Sequence, residues 1–439
     1  LGLQLERALS EKRCLDKRGK IVMNVREKFL EVMRFNKFTP PPKWEFGYWG
    51  GTIDNWYDQG LPKKQYPEIP YNVSTPTSHL YSPAWLRGQE VNNGKLPTGI
   101  AVMAGGLYWP TQGFPVDNDV MNYFNMDKTQ ILVNVNLLFH PMYEQKKIYE
   151  DENYFDYQDL DGVKRRFLKD PKSGMTIPSG IVWEIKNRDS WEKVKAERIN
   201  LNDIKGRFPE NWDRLVAIYQ NRDFPLAIGG YPHGFFGTLA HLMGYDSLFL
   251  SYYDDPKLVH DMVGTFTDLW IAVYSEVFSQ VKVDHVQIWE DISFGSGSMV
   301  SPKIIEEFMV PYYKKFTSFL RSEGIDIILL DTDGYCMDII PLFMEGGITG
   351  LYPFEWHCGM DIVEVRKKFP SLKMLGGIPK SEIVHGEKRI DEILEPVKEV
   401  LKTGGYIPFG DHFIPPEVSW DNFKYYRESL NKIIDGIES

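Results

Sequence analysis

From about residue 200 onward the chain repeats one unit: an apolar run, a loop, then an amphipathic helical stretch. The runs are Pro225 to Tyr231, His285 to Asp291, Asp326 to Asp333, Ile348 to Glu355, Lys373 to Pro379 and Tyr406 to Asp411, with Ile131 to Phe139 an earlier one. Helical patterns lie between them, at Ser301 to Ser322 and Asp361 to Phe369. Such alternation implies a parallel sheet covered by helices, and this many units favour closure into a (β/α)8 TIM barrel. The 439 residues suit that reading, because barrels routinely outgrow the usual domain length. With no tandem repeat or interdomain linker, residues 23–439 read as one barrel domain behind a polar N-terminal extension, 1–22.

Three segments depart from the rhythm. Asn24, followed three positions on by Glu27, predicts a capped helix whose Val25, Phe29 and Met33 share a face, ending before Pro40. Trp44 to about Asp119 is rich in Gly, Pro and aromatic residues and reads as long ordered loops, a length that suggests a cover over a site. Short β-like runs around an Asp161–Gly162 pair predict a β-hairpin insertion at about 150–185.

A net charge of −11 without a Lys/Arg cluster argues against nucleic acid as a partner. No run approaches the roughly 20 apolar residues of a membrane helix, and the N-terminus lacks the order of a secretory signal. Cys14, Cys336 and Cys358 are too few and too scattered for a disulfide framework, so a cytoplasmic enzyme, monomeric or homodimeric, is expected. Aromatics at 14% imply either a ring-rich core or an aromatic pocket for a flat ligand.

In a parallel barrel the chemistry sits where strands end. Here the ends are acidic: Glu290 and Asp291, then Asp331 and Asp333, then Glu355 with His357, then Lys380, then Asp411 and His412. One such acid reads equally as a helix cap; several on one rim must share protons, pair with cations or hold a metal. Glu290, Asp291, Glu355 and His412 are therefore candidate proton-transfer groups. Asp331, Asp333, Asp411 and His412 form a candidate zinc set, with a hydrogen-bonded network without metal as the alternative. Cys336, His357 and Cys358 make a rival zinc set, although Cys336 reads as entering the next helix. Trp44, Phe46, Trp49, His233, Phe236, His357 and Lys380 are candidate substrate contacts.

The opening NVREKFLEVM and WEFGYW, then WEDISFGSGSMVSP, FMVPYYKK, LLDTDG, GITGLYPFE, LGGIPK and GGYIPFGDHFIPPEVSW, resemble the uroporphyrinogen decarboxylase superfamily from about Met23 to the C-terminus. True decarboxylases of that superfamily carry an arginine motif after the first helix, and Lys43 to Asn55 contains no arginine. Its corrinoid-dependent methyltransferases hold zinc with a His-x-Cys pair and a later Cys, at positions that Asp331, Asp333 and Asp411 occupy here. The hairpin insertion and the Asp-Thr-Asp-Gly and Gly-Asp-His motifs most resemble a large subgroup that includes methyltransferase components acting on aromatic methyl ethers. It implies transfer of a methyl group from an O-methyl donor to the cobalt of a corrinoid protein, with cobalamin carried by that partner. A decarboxylase or other lyase acting on a non-porphyrin substrate is the alternative, and a noncatalytic small-molecule binder the second.

Overall fold

The computed structural model describes residues 23–62, 117–144, 146–168, 179–210 and 212–437. The 1–22 extension and the 63–116 part of the long loop stretch lie outside the described residues.

Seven parallel strands form the central sheet: β1 (Ile131–Leu132), β6 (Leu226–Gly229), β7 (His285–Trp289), β10 (Ile328–Thr332), β11 (Gly350–Pro353), β12 (Lys373–Leu375) and β13 (Tyr406–Ile407). They pair in chain order, so each strand lies beside the next one of the sheet, and helices make most of the crossovers. Strands covered on both faces need apolar side chains throughout, and every residue of β10 and β11 is buried. The strands are shorter than the apolar runs. The run at Asp326 to Asp333 gives a ladder only over Ile328–Thr332, because its acidic end leaves the sheet to form the rim.

The sheet curls, and the first helix fixes how far. Asn24 and Glu27 form the capping box the spacing predicts for Val25–Met33. At one end of this helix the Arg26 amide bonds Asp223 O, just before β6; at the other, Val32 O accepts from Gly405 N, just before β13. Nine helical residues span only about 14 Å, so sheet positions several strands apart are brought close at this end. Phe29, fully buried, packs at a tilt against Trp44 and against His285 of β7. After β13 an isolated parallel bridge joins Ile414 to Tyr48. Among the described residues no ladder joins β1 to β13.

The expected hairpin is part of a four-stranded antiparallel sheet, β2 (Lys146–Glu150), β3 (Tyr154–Gln158), β4 (Lys164–Leu168) and β5 (Ser179–Val182), with Asp161–Gly162 in the β3–β4 turn. The helix expected over Ser301 to Ser322 is two, Pro302–Phe308 and Val310–Ser322. Pro311 supplies no amide hydrogen for a continuous helix, so the chain breaks at Met309 and restarts. A small ribbon, β8 (Ser293–Phe294) with β9 (Gly297–Ser298), follows β7.

Candidate active site

The C-terminal ends of the strands open into a cavity of about 380 Å³. Asp291, Asp331, Asp333 and His412 line it on the sheet side. Rings of Phe46, Phe413, Trp289, Tyr231 and Tyr245 wall it, and the antiparallel sheet adds Arg165 and the neighbouring Trp183.

Backbone geometry gathers the acids. Asp331 is within β10 and Asp333 follows it before Gly334, whose φ of 72° turns the chain away. Asp291, just past β7, has φ 46°, a conformation few side chains other than Asn and Asp tolerate, and its amide reaches Asp331 O at 3.3 Å. The neighbouring loop comes close because Gly234 has no side chain: a Cβ there would meet Trp289 O at 1.8 Å.

Three carboxyl groups around one cavity cannot all ionise. Burial pushes Asp331 well above the usual carboxylate range, and Asp333, Asp291 and Glu355 push it further. Burial likewise raises Asp291, to about 7, with Asp333 and Glu355 adding to the shift and His412 opposing it. Asp333 goes the other way: burial works against its charge, but the His412 imidazolium and Lys380 outweigh it and hold the carboxyl below its ordinary value. His412 is raised in return, burial being overcome by Asp333 at 3.5 Å. The shifts favour charge on the Asp333–His412 pair and a proton on Asp331, while Asp291 exchanges its proton near neutral pH. The pair's contribution from His412 is complete below about pH 6.5 and is lost as pH rises through its folded value. Asp333→Asn should lower the His412 pKa, read from its ring protons by NMR; an unchanged titration would remove Asp333 as the cause.

Other expected site residues are placed elsewhere. Glu290 is fully buried and accepts from the amides of Phe235, Phe236 and Gly237 and the Tyr313 hydroxyl, so it ties a helix start to β7 instead of facing the cavity. Asp411 is also fully buried; its oxygens accept from the Trp356 and Lys380 amides. Lys380 spans Glu355 and Asp411, each at 3.3 Å, and Glu355 also takes the Gly334 amide, making a charged layer behind the cavity. His233 is a core histidine packed on Trp270, Tyr274 and Phe316, its pKa driven by burial to about 3. His357 bonds Ser381 and is half-exposed. Trp44 and Phe236 are buried in the core, and Trp49 meets the cavity only through the edge of Phe413. Phe46 does line it, 4.9 Å from the His412 ring.

The donor set does not fit zinc. Asp411 already serves two amides and Lys380, and among the described residues no three His, Cys, Asp or Glu side chains converge as a metal site. Cys336 is buried behind its strand, with its thiol pushed up to about 12 by burial.

Sequence reasoning missed the part of the lining built by the antiparallel sheet and His241. Arg165 bonds Asp159 and Asp161, Asp161 contacts His241, and His241 bonds Tyr231. The available signal was Asp159, Asp161 and Arg165 crowded around one turn, an unusual charge density for a hairpin tip. Nothing in the sequence pairs that turn with His241, 80 positions on.

Comparison with known proteins places this geometry among relatives. A model of the family uroporphyrinogen decarboxylase (URO-D) matches residues 176–433, more than half the chain. The uroporphyrinogen decarboxylase of Myxococcus xanthus (strain DK1622) is 25% identical over 182 residues, 41% of this chain and 49% of that protein. The chain thus spans about half the length of the curated relative it matches. A solved structure, a methyltransferase from Methanosarcina mazei, superposes with TM-score 0.52 at 14% identity, covering 93% of this chain and 100% of that one; at such identity the likeness concerns the fold. Among the described residues no helix is long and apolar enough to cross a membrane.

Proposed function

The chain belongs to the uroporphyrinogen decarboxylase (URO-D) family, and from that premise we propose that it is a methyltransferase. It takes a methyl group from an aromatic methyl ether and delivers it to the corrinoid of a separate protein. Its curled sheet is read here as the greater part of an eight-stranded barrel. The observation that carries the proposal is Asp291, a carboxyl group raised to about 7 at the floor of a ring-walled cavity.

An aryl ether oxygen leaves poorly unless it receives a proton as the carbon–oxygen bond breaks. The reduced corrinoid supplies the nucleophile that removes the methyl group. Asp291 supplies the proton to the departing oxygen, since at neutral pH it is near the point where holding and releasing a proton are balanced. Ionised Asp333, paired with His412, raises the proton affinity of Asp291 without competing to donate. Phe46 and Trp289 press on the faces of a flat ligand and exclude water from the acids.

The lyase alternative has the named decarboxylase relative behind it. Against it, Arg165 lines the cavity with its guanidinium already bonded to two aspartates, which leaves it poorly suited to hold a substrate carboxylate. The deciding experiment mixes the protein with a reduced corrinoid protein and a panel of methoxylated aromatics, following the corrinoid spectrum and the demethylated product. Product formed with at least one donor is expected. No transfer from any donor, with carbon dioxide released from a carboxylated aromatic, would establish the lyase instead.

A further inference from the structure

The antiparallel sheet brings one large ring to the cavity, and two glycines make room for it. Trp183, the residue after β5, lines the cavity together with Gly180, His241 and Gly244. A Cβ on Gly180 would lie 2.6 Å from Cζ2 of the indole, and one on Gly244 would lie 2.9 Å from its Cε2. Both distances are well inside van der Waals contact, so the ring fills space that a side chain at either position would need. A third contact fixes its rotation, because the indole N–H donates to the His241 carbonyl oxygen at 3.2 Å.

The two glycines answer to different demands. Gly244 joins the helices Gly237–Met243 and Tyr245–Asp254 at φ 75°, so its backbone calls for glycine whatever the ring does. Gly180 lies within β5 and has no positive φ, so its backbone would accept alanine. Glycine inside a strand gives up packing and often marks the close approach of another group. Here the group that approaches is the Trp183 ring. The wall it belongs to is built by an insertion, and β2, β3 and β4 all precede residues 176–433, the stretch that the family model matches.

We propose that Trp183 is a specificity-determining residue whose ring closes one side of the cavity and sets the largest ligand that fits, with Gly180 as the positioning residue that seats it. With the ring in place the cavity measures about 380 Å³, toward the small end of ligand sites. Removing the indole opens further space on the order of 150 Å³, room for a second benzene ring. The choice of aryl methyl ethers as probes rests on the proposed function; the size limit rests on the ring and its seat.

The test is calorimetric binding with no corrinoid protein present, using anisole, 2-methoxynaphthalene and 4-methoxybiphenyl. Wild type should bind 4-methoxybiphenyl about tenfold or more weaker than anisole, because the second ring has to force its way into a filled site. In Trp183→Ala the order should reverse, since added apolar area favours the larger ligand once it fits. Gly180→Ala, whose methyl group must displace the indole, should change anisole affinity by about threefold or more in the wild-type background and by less in the Trp183→Ala background, where the ring it pushes is gone. A purely structural effect of that methyl group would be the same in both. Should Trp183→Ala fail to fold by circular dichroism, Trp183→Leu takes its place with the same expected reversal. A size order that survives loss of the indole, a Gly180→Ala effect equal in the two backgrounds, or no binding of any probe by the Trp183 variant overturns the inference. Methyl transfer with an unmoved size limit would sink this inference and keep the proposed reaction, and a moved limit without methyl transfer would do the reverse.

Discussion

Asp291→Asn should cut turnover by roughly 10²- to 10⁴-fold, the range expected when a positioned general acid is removed, and leave KM nearly unchanged. Asn keeps the size and polarity of the side chain and tolerates the positive φ of 46° found there, so the cavity and its ring walls persist. Only the transferable proton is lost. Wild-type turnover should hold below about pH 7 and fall above it, as Asp291 ionises among Asp333, Glu355 and His412. The variant's residual rate should lack that limb. Stability should move oppositely. The folded state keeps a proton on Asp291 that the unfolded chain releases near pH 4, so wild-type stability declines as pH rises from about 4 to about 7. Asn avoids that decline, and the melting temperature of the variant relative to wild type should be higher at pH 8 than at pH 4. A variant with full turnover, or one whose pH profile keeps the alkaline limb, would remove Asp291 as the acid.

How much of this could be read in advance depended on how local each cause was. The parallel sheet was legible because every strand has its own apolar run, and the acidic rim was legible because β7 and β10 each terminate in their own sequence. What lay beyond reach was direction. Asp291 and Glu290 are neighbours in the chain, yet one faces the cavity and the other is spent on three backbone amides and Tyr313. The choice is made by the helix beginning at Gly237, whose unpaired N-terminal amides attract a carboxylate. Asp411 was read as a ligand for the same reason; it too caps amides, those of Trp356 and Lys380. Trp44 looked like a cover over the mouth because its segment is rich in aromatics, whereas its indole N–H bonds Lys128 O and its fully buried ring packs at a tilt on Phe29. The wall of Asp161, Tyr231 and His241 was invisible because it joins a turn, a loop and a helix that only the folded chain brings together.

That wall also sets the largest expected stability effect. In Arg165→Met the side-chain volume is nearly kept, but Asp159 and Asp161, both fully buried in their side chains, lose their shared cation. Removing one partner of a buried ion pair costs about 3–5 kcal/mol, because the remaining charge stays out of water. Asp159 escapes most of this, since burial already lifts it well above the carboxylate range despite Arg165. Asp161, held ionised, takes the loss. It retains one neighbour able to respond: His241, whose proton affinity Arg165 holds down in the wild type together with burial. Without Arg165 the imidazole should take up a second proton and pair with Asp161. A His raised above its unfolded value stabilises the fold below about pH 6.5 and loses that contribution as pH rises through the folded value. The wild type, with His241 depressed, behaves in the opposite sense. The deficit of Arg165→Met should therefore be larger at pH 8 than at pH 5.5, measured by urea unfolding at both. A deficit below about 1 kcal/mol, or one equal at the two pH values, would show that Asp161 does not depend on Arg165.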